Sequence, residues 1–182
     1  MGFAVNYKNA DNSIIPEGYY EVVVLSAFED AKKNSASVFI NMPLVVRNDV
    51  EQPEKNKRIF FSIYKKAEPT ANDAAHGGYP ANQIDKLSKA AGLSNGKQYD
   101  SLEQWLEDME HKPLRVKVFH DEYKGATYAK VEIFAKNNDG VTPTKFPDVK
   151  HAYKTEDAAG AKTSAPAGFT AAAEINDDDI PF

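Results

Sequence analysis

The chain has 182 residues, with 22 lysines and arginines against 27 aspartates and glutamates, a formal charge of −5 and 42% apolar residues, enough for one domain with a true core. The absence of cysteine excludes a disulfide scaffold, a thiolate metal centre and a cysteine nucleophile. No apolar run approaches the roughly 18 residues of a membrane span, and the opening Met1-Gly2-Phe3-Ala4-Val5-Asn6-Tyr7 lacks the basic start and apolar middle of a secretory signal, so a soluble intracellular protein is expected.

In chain order, period-two alternation predicts strands. Gly18–Ala27 is β-branched and aromatic. Ser37–Arg47 carries Val38, Ile40, Met42, Leu44 and Val46 on one face, and Lys57–Tyr64 turns Ile59, Phe61 and Ile63 inward and Arg58, Phe60, Ser62 and Tyr64 outward. Lys66–Pro80 reads as a long polar loop, with His76-Gly77-Gly78 as a turn inside it. The period then lengthens. Ile84, Leu87 and Ala91 share one face of a short helix between Pro80 and Gly92. Leu102, Trp105, Leu106 and Met109 fall at i, i+3, i+4 and i+7 of a second, capped by Asp100 or Ser101 and ended by Pro113. Alternation resumes with Leu114, Val116 and Val118 inward and Arg115, Lys117 and Phe119 outward. A Lys124-Gly125 turn leads to a last strand with Val131 and Ile133 inward and Tyr128, Lys130 and Phe134 outward. The order β-β-β-α-β-β is mainly β with a helical insert. It is the element order of the OB-fold, a small, partly open five-stranded barrel, although an open α+β sandwich gives a similar string.

Charge is unevenly placed. Residues 1–154 hold 21 cations and 21 carboxylates, whereas residues 155–182 hold Lys162 against six carboxylates, so the whole formal charge belongs to the last 28 residues. Of the 19 residues 155–173, 15 are Ala, Gly, Ser, Thr or Pro, too little apolar bulk to offset the entropy of ordering. The expected division is a folded domain at 1–154, a flexible linker at 155–173 and an acidic tip at 174–182.

Catalytic motifs are absent from the sequence. His76, His111, His120 and His151 show no paired ligand spacing, and no H-E-x-x-H, G-x-S-x-G or P-loop pattern occurs. A protein without catalytic residues, metal or cofactor is expected. The outward faces say more. Phe39, Arg58, Phe60, Tyr64, Arg115, Lys117, Phe119, Tyr128, Lys130 and Phe134 interleave rings with cations, and Lys65, Lys66, Tyr123 and Lys124 lie at strand ends or turns. Rings stack on unpaired bases for about 1–3 kcal/mol each and cations follow phosphates, so the pattern fits a single-stranded nucleic acid bound with little sequence preference. Strand propensity also favours aromatics, and the same rings could instead cover a second small core or a subunit interface.

The end of the chain, Asp177-Asp178-Asp179-Ile180-Pro181-Phe182, resembles the acidic tip of bacterial single-stranded-DNA-binding proteins. The body is similar to a phage-encoded family of single-stranded-DNA-binding proteins, long catalogued as a domain of unknown function. That resemblance is carried by Met1-Gly2-Phe3, Pro16-Glu17-Gly18-Tyr19-Tyr20-Glu21-Val22, Leu44-Val45-Val46-Arg47-Asn48-Asp49 and Lys112-Pro113-Leu114-Arg115-Val116-Lys117-Val118. It implies a protein of the bacterial host's cytoplasm that coats single-stranded DNA and recruits replication, recombination or repair enzymes through the tip. The tip's chemistry agrees: the Phe182 ring and free carboxylate fit an apolar pocket with a basic rim, Ile180 adds apolar contact, Pro181 limits chain entropy, and three aspartates steer toward basic surfaces. With a neutral body and a −5 tail, the tail is also expected to compete with the nucleic acid for the body's cations. Assembly, in the simplest case a dimer, would raise affinity through multivalency. The alternatives are a protein-interaction adaptor, or an accessory to a nuclease or annealing system.

Overall fold

The computed structural model describes residues 14–154; the acidic tip and its linker lie outside the described residues. The alternating segments form strands, and the first three bend. The first runs as β1 (Gly18–Val24) and β2 (Phe28–Ala31), the second as β3 (Val38–Asn41) and β4 (Leu44–Val46), the third as β5 (Arg58–Ile59) and β6 (Ser62–Tyr64). The sequence reads the second and third as unbroken strands because their side-chain alternation continues through the bend; it ends the first at Ala27, and β2 goes unread because the parity shifts between Val24, which points in, and Phe28, which pairs with outward Asn41. Met42 and Phe61, at two of the corners, still point into the core. Backbone bonds bridge the corners, Leu25 N–H donating to Pro43 O (2.9 Å) and Met42 N–H to Phe61 O (2.9 Å).

After the helical insert come β7 (Pro113–Tyr123), β8 (Ala126–Val131) and β9 (Val141–Pro143). One antiparallel sheet has the order β5-β4-β1-β7-β8, with β9 also paired to β7, and a second has β2-β3-β6. The bent strands pass from one sheet to the other, so the whole is a strongly curled, mainly β half-barrel. β9 goes unread in the sequence because three residues are too few to show a period. It pairs with Leu114–Val116 while β8 pairs with Val118–Tyr123, so the two share one edge of β7.

A single apolar cluster fills the curl. Tyr20, Val22 and Val24 of β1 meet Leu114, Val116 and Val118 of β7, and Ile40, Leu44, Val46, Ile59 and Ile63 close the far side. The insert contributes α1 (Ala71–Ala75), α2 (Ala81–Ala90) and α3 (Leu102–Met109). Helix α2 buries Ala81, Ile84, Leu87 and Ala90, and α3 buries Trp105, Leu106 and Met109; the spacing predicts Ile84, Leu87, Trp105, Leu106 and Met109, whereas Ala91 is the half-buried cap of α2 and Leu102 is half-buried. Ser101 caps α3 by accepting from Gln104 N–H. The loop at Lys66–Pro80 is only partly a loop. Thr70 and Asp73 form a reciprocal capping box that starts α1, and a one-turn helix leaves no periodic signature. Gly77 and Gly78 have φ of +70° and +89°, the turn expected there.

Arg47, Asn48 and Asp49 hold the segment 144–153 across the outside of β4 and β1. Arg47 is fully buried, and all five of its N–H donors are used: Nε and Nη2 on the two Asp49 oxygens (3.0 and 2.6 Å), Nη1 on Thr144 Oγ1 and Phe146 O (3.2 and 2.6 Å), Nη2 on Asp148 O (3.0 Å). Asp49 accepts from Lys150 N–H (2.7 Å), and Asn48 bonds both backbone groups of Ala152. Glu21 accepts from the Thr144 hydroxyl (2.5 Å) and Lys145 N–H (3.3 Å). Val23, Leu25 and Val45 point away from the main core yet are buried as a small cluster of their own. The segment 144–153 is a strap fastened at Glu21 and Arg47, neighbours across β1 and β4 (Arg47 N–H to Glu21 O, 2.9 Å) two positions from Val23 and Val45.

Candidate nucleic-acid interface

The alternation along each strand puts the residues singled out from sequence on the outer surface of the curl, in two groups. Phe39 of β3 lies opposite Tyr64 of β6, their rings 5.4 Å apart and tilted by 38°. Arg58 and Phe60 continue the same outward parity along the third strand. Phe60 is 72% exposed and Tyr64 55%. Rings of that size left open to water forgo the burial that stabilises most aromatics. Phe28 of β2 shares this face, in register with Asn41.

The second group lies on the β7–β8 hairpin. Arg115, Lys117, Phe119 and Tyr123 alternate outward on β7, and Tyr128 and Lys130 on β8. Phe119 pairs with Lys130, and Tyr128 with Asp121. Tyr123 is 61% exposed and Tyr128 48%, Phe119 is half-buried, and Phe134 just past β8 is exposed. At the tip the Lys124 ammonium sits 5.2 Å from the Tyr123 ring centre.

The cations are less available than their sequence suggests. Lys117 pairs with Glu132 (3.3 Å), which holds its ammonium above the usual lysine range, and Lys130 pairs with Asp121, whose carboxyl is pushed down in turn. Both are surface pairs worth about 0–1 kcal/mol, weak enough for a phosphate to displace the carboxylate. Two others have structural duties. Arg115 lies over the Tyr19 ring at 4.2 Å, with its Nε 3.8 Å from buried Glu21. Lys66 donates to buried Asp73 (2.8 Å), which also accepts from Thr70 and from Ala81 N–H, so that its carboxyl sits well below the carboxylate range. Lys66 therefore fastens α1 to the third strand rather than facing a groove. Lys65 bonds Glu29 (3.3 Å) and leans over the buried Tyr79 ring.

Sequence reasoning missed four residues of the same surface. Lys32 and Lys33 lie exposed in the β2–β3 turn, where Asn34 has φ +61°; adjacent lysines beside a turn-forming asparagine were the available signal. Tyr19 and Phe28 sit at strand starts, where alternation is too short to fix a face. Away from both groups, a groove of about 950 Å³ opens between α2, α3 and the loop 93–101, floored by Leu93, Leu102 and Trp105. The Trp105 indole N–H there donates to Ser88 Oγ (2.8 Å). Among the described residues no three His, Asp or Glu side chains converge as metal ligands, and no helix is long and apolar enough to cross a membrane.

A family model described as a protein of unknown function (DUF669) matches residues 3–143. No curated protein matches the chain.

Proposed function

We propose that this chain, which belongs to the DUF669 family by a match over most of its length, binds single-stranded DNA without sequence specificity and does no catalysis of its own. The observation that carries the reading is the exposure of Phe60, Tyr64, Tyr123 and Tyr128 on the outside of curled strands with lysines and arginines between them. Each ring is a stacking platform for an unpaired base, and each surface ion pair exchanges a carboxylate for a phosphate. We read the three bent strands and the β7–β8 hairpin as an OB-like barrel, in which the β2–β3 and β7–β8 turns, with Lys32, Lys33 and Lys124, flank the binding surface. Binding only the unpaired form melts hairpins by mass action and needs no nucleotide hydrolysis.

In this reading the protein works in phage or prophage replication or recombination in the cytoplasm of a bacterial host. Asp177, Asp178, Asp179, Ile180, Pro181 and Phe182 recruit partner enzymes, and a dimer multiplies contacts along the strand. Support for the tip comes from its sequence alone.

Titration of fluorescent oligo-dT at two salt concentrations tests the proposal. Tight binding that weakens with a log–log slope of about −4 to −5, from six or seven phosphate contacts at roughly 0.7 each, is the expected result. One observation favours the adaptor as a second reading: Lys117, Lys130 and Arg115 each have a carboxylate neighbour, a balanced surface that also suits a protein partner. An adaptor would show no salt-dependent affinity for the oligonucleotide.

A further inference from the structure

The two aromatic groups are separated by the strap. In the sheet order β5-β4-β1-β7-β8, Arg58 sits on β5 at one flank and Arg115 and Lys117 on β7 at the other. Between them, outside β4 and β1, the strap is fastened to Arg47 and Glu21. A single strand that follows this face from Arg58 to Arg115 and Lys117 therefore runs over residues 144–154.

Most of the anchoring bonds go to the strap's backbone: the carbonyls of Phe146, Asp148 and Ala152 and the N–H groups of Lys145, Lys150 and Ala152. The side chains that anchor it are Thr144, bonded to Arg47 and Glu21, and buried His151, whose Nδ1 accepts from Asn48 N–H (3.1 Å). The exposed side chains are left for another use. Lys145, Phe146, Val149, Lys150, Tyr153 and Lys154 are exposed, three cations interleaved with two rings and a valine. Tyr153 stands edge-on to His111 and His151 at 5.0 and 4.8 Å, which fixes its ring without covering it. Against these three lysines the strap carries one carboxylate side chain, Asp148. Backbone fixed in advance lowers the ordering entropy that a flexible basic segment would lose on binding.

We propose that the strap is the middle of the binding path: Phe146 and Tyr153 stack on bases, Lys145, Lys150 and Lys154 take phosphates, and the two aromatic groups become one continuous surface. This deepens the single-strand reading and rests on it. The occupant is a polyanionic strand with exposed bases, because the segment offers cations and rings together.

The test uses the full chain, with Phe146→Ala and the triple variant Lys145→Ala/Lys150→Ala/Lys154→Ala, against labelled oligo-dT of about 5 and about 20 nucleotides, lengths that bracket what a small barrel contacts. These side chains lie outside the core, so melting temperatures should match the wild type. The long strand should bind roughly tenfold more weakly to Phe146→Ala, and the triple variant's salt slope should flatten by about 2. Affinity for the short strand should hold. Variants that bind the long strand as tightly as wild type, with an unchanged slope, overturn the bridging role while leaving single-strand binding intact. Equal losses on both lengths overturn it too, since the strap would then be the main site and not a bridge. If the wild type binds neither length, the function itself fails.

Discussion

Arg47 shows how a single side chain can hold a segment a hundred residues distant. Its guanidinium has no access to water, and every donor it carries is matched. Removing it strands the Asp49 carboxylate and two carbonyls, so Arg47→Met should cost about 3–5 kcal/mol, a fall of about 10 °C in melting temperature by calorimetry. Arg47→Lys should recover little, because one ammonium cannot reproduce a planar fork. Asp49 ties the same clamp to pH. The Arg47 hydrogen bonds bring its pKa down from 3.8 to about 2. The unfolded chain thus takes up this proton before the folded one does. The stability it confers, about 1–2 kcal/mol after solvent screening, is complete above about pH 5 and fades as pH falls toward 2. Asp49→Asn should flatten the acid limb of a urea-unfolding series between those values. Phe60 is the opposite kind of residue. Its exposed ring contributes little to the core, so Phe60→Ala should leave melting unchanged and weaken oligo-dT binding by about 1–3 kcal/mol in the same titration. Phe60 was legible in the sequence from parity alone. The role of Arg47 was not, since three of its five bonds go to residues 97 to 101 positions away, where no local pattern reaches.

At the scale of elements, what could be read was the inward set of the second and third strands, because their two-residue period survives bending. Where those strands break was hidden, since the corners keep both their parity and part of their hydrogen bonding; at the first corner the parity shifts between Val24 and Phe28, so β2 lay beyond the strand that alternation could trace. Helices α2 and α3 announced themselves by spacing and by Pro80, Gly92 and Ser101. Short pieces did not: α1 is one turn and β9 three residues. Gly140, between β8 and β9, explains why the chain can return to the β7 edge at all. A Cβ there would stand 1.9 Å from Glu132 O and 2.7 Å from Ile133 O, and its own carbonyl accepts from Lys117 N–H at 2.7 Å. Gly140→Ala should therefore destabilise by about 3 kcal/mol or more, the upper end of overpacking, because backbone cannot yield as a side chain does. Gly125→Ala makes the control: φ is +76° but nothing lies within 4 Å of a Cβ, so only about 1 kcal/mol of left-handed strain is expected. Urea midpoints of the two variants measure the difference.

For the whole molecule, charge is the quantity that organises behaviour. A body of zero net charge approaches a polyanion with little long-range attraction, so affinity must come from local contacts and from rings. The residues beyond 154 carry all of the excess negative charge. Removing Asp177–Phe182 should accordingly tighten oligo-dT binding at low salt, and affinity indifferent to that truncation would show that the end of the chain does not compete. The candidate surface was half legible from sequence. Parity found the rings and the cations but could not find the carboxylates beside them, because Glu132 and Asp121 meet Lys117 and Lys130 only through strand pairing.

The clamp on residues 144–153 also fixes a point of departure. Tyr153, one position before the last described residue, is held edge-on against His111. Under the proposed function, a partner bound by the last six residues is thereby tethered to one fixed place on the folded body.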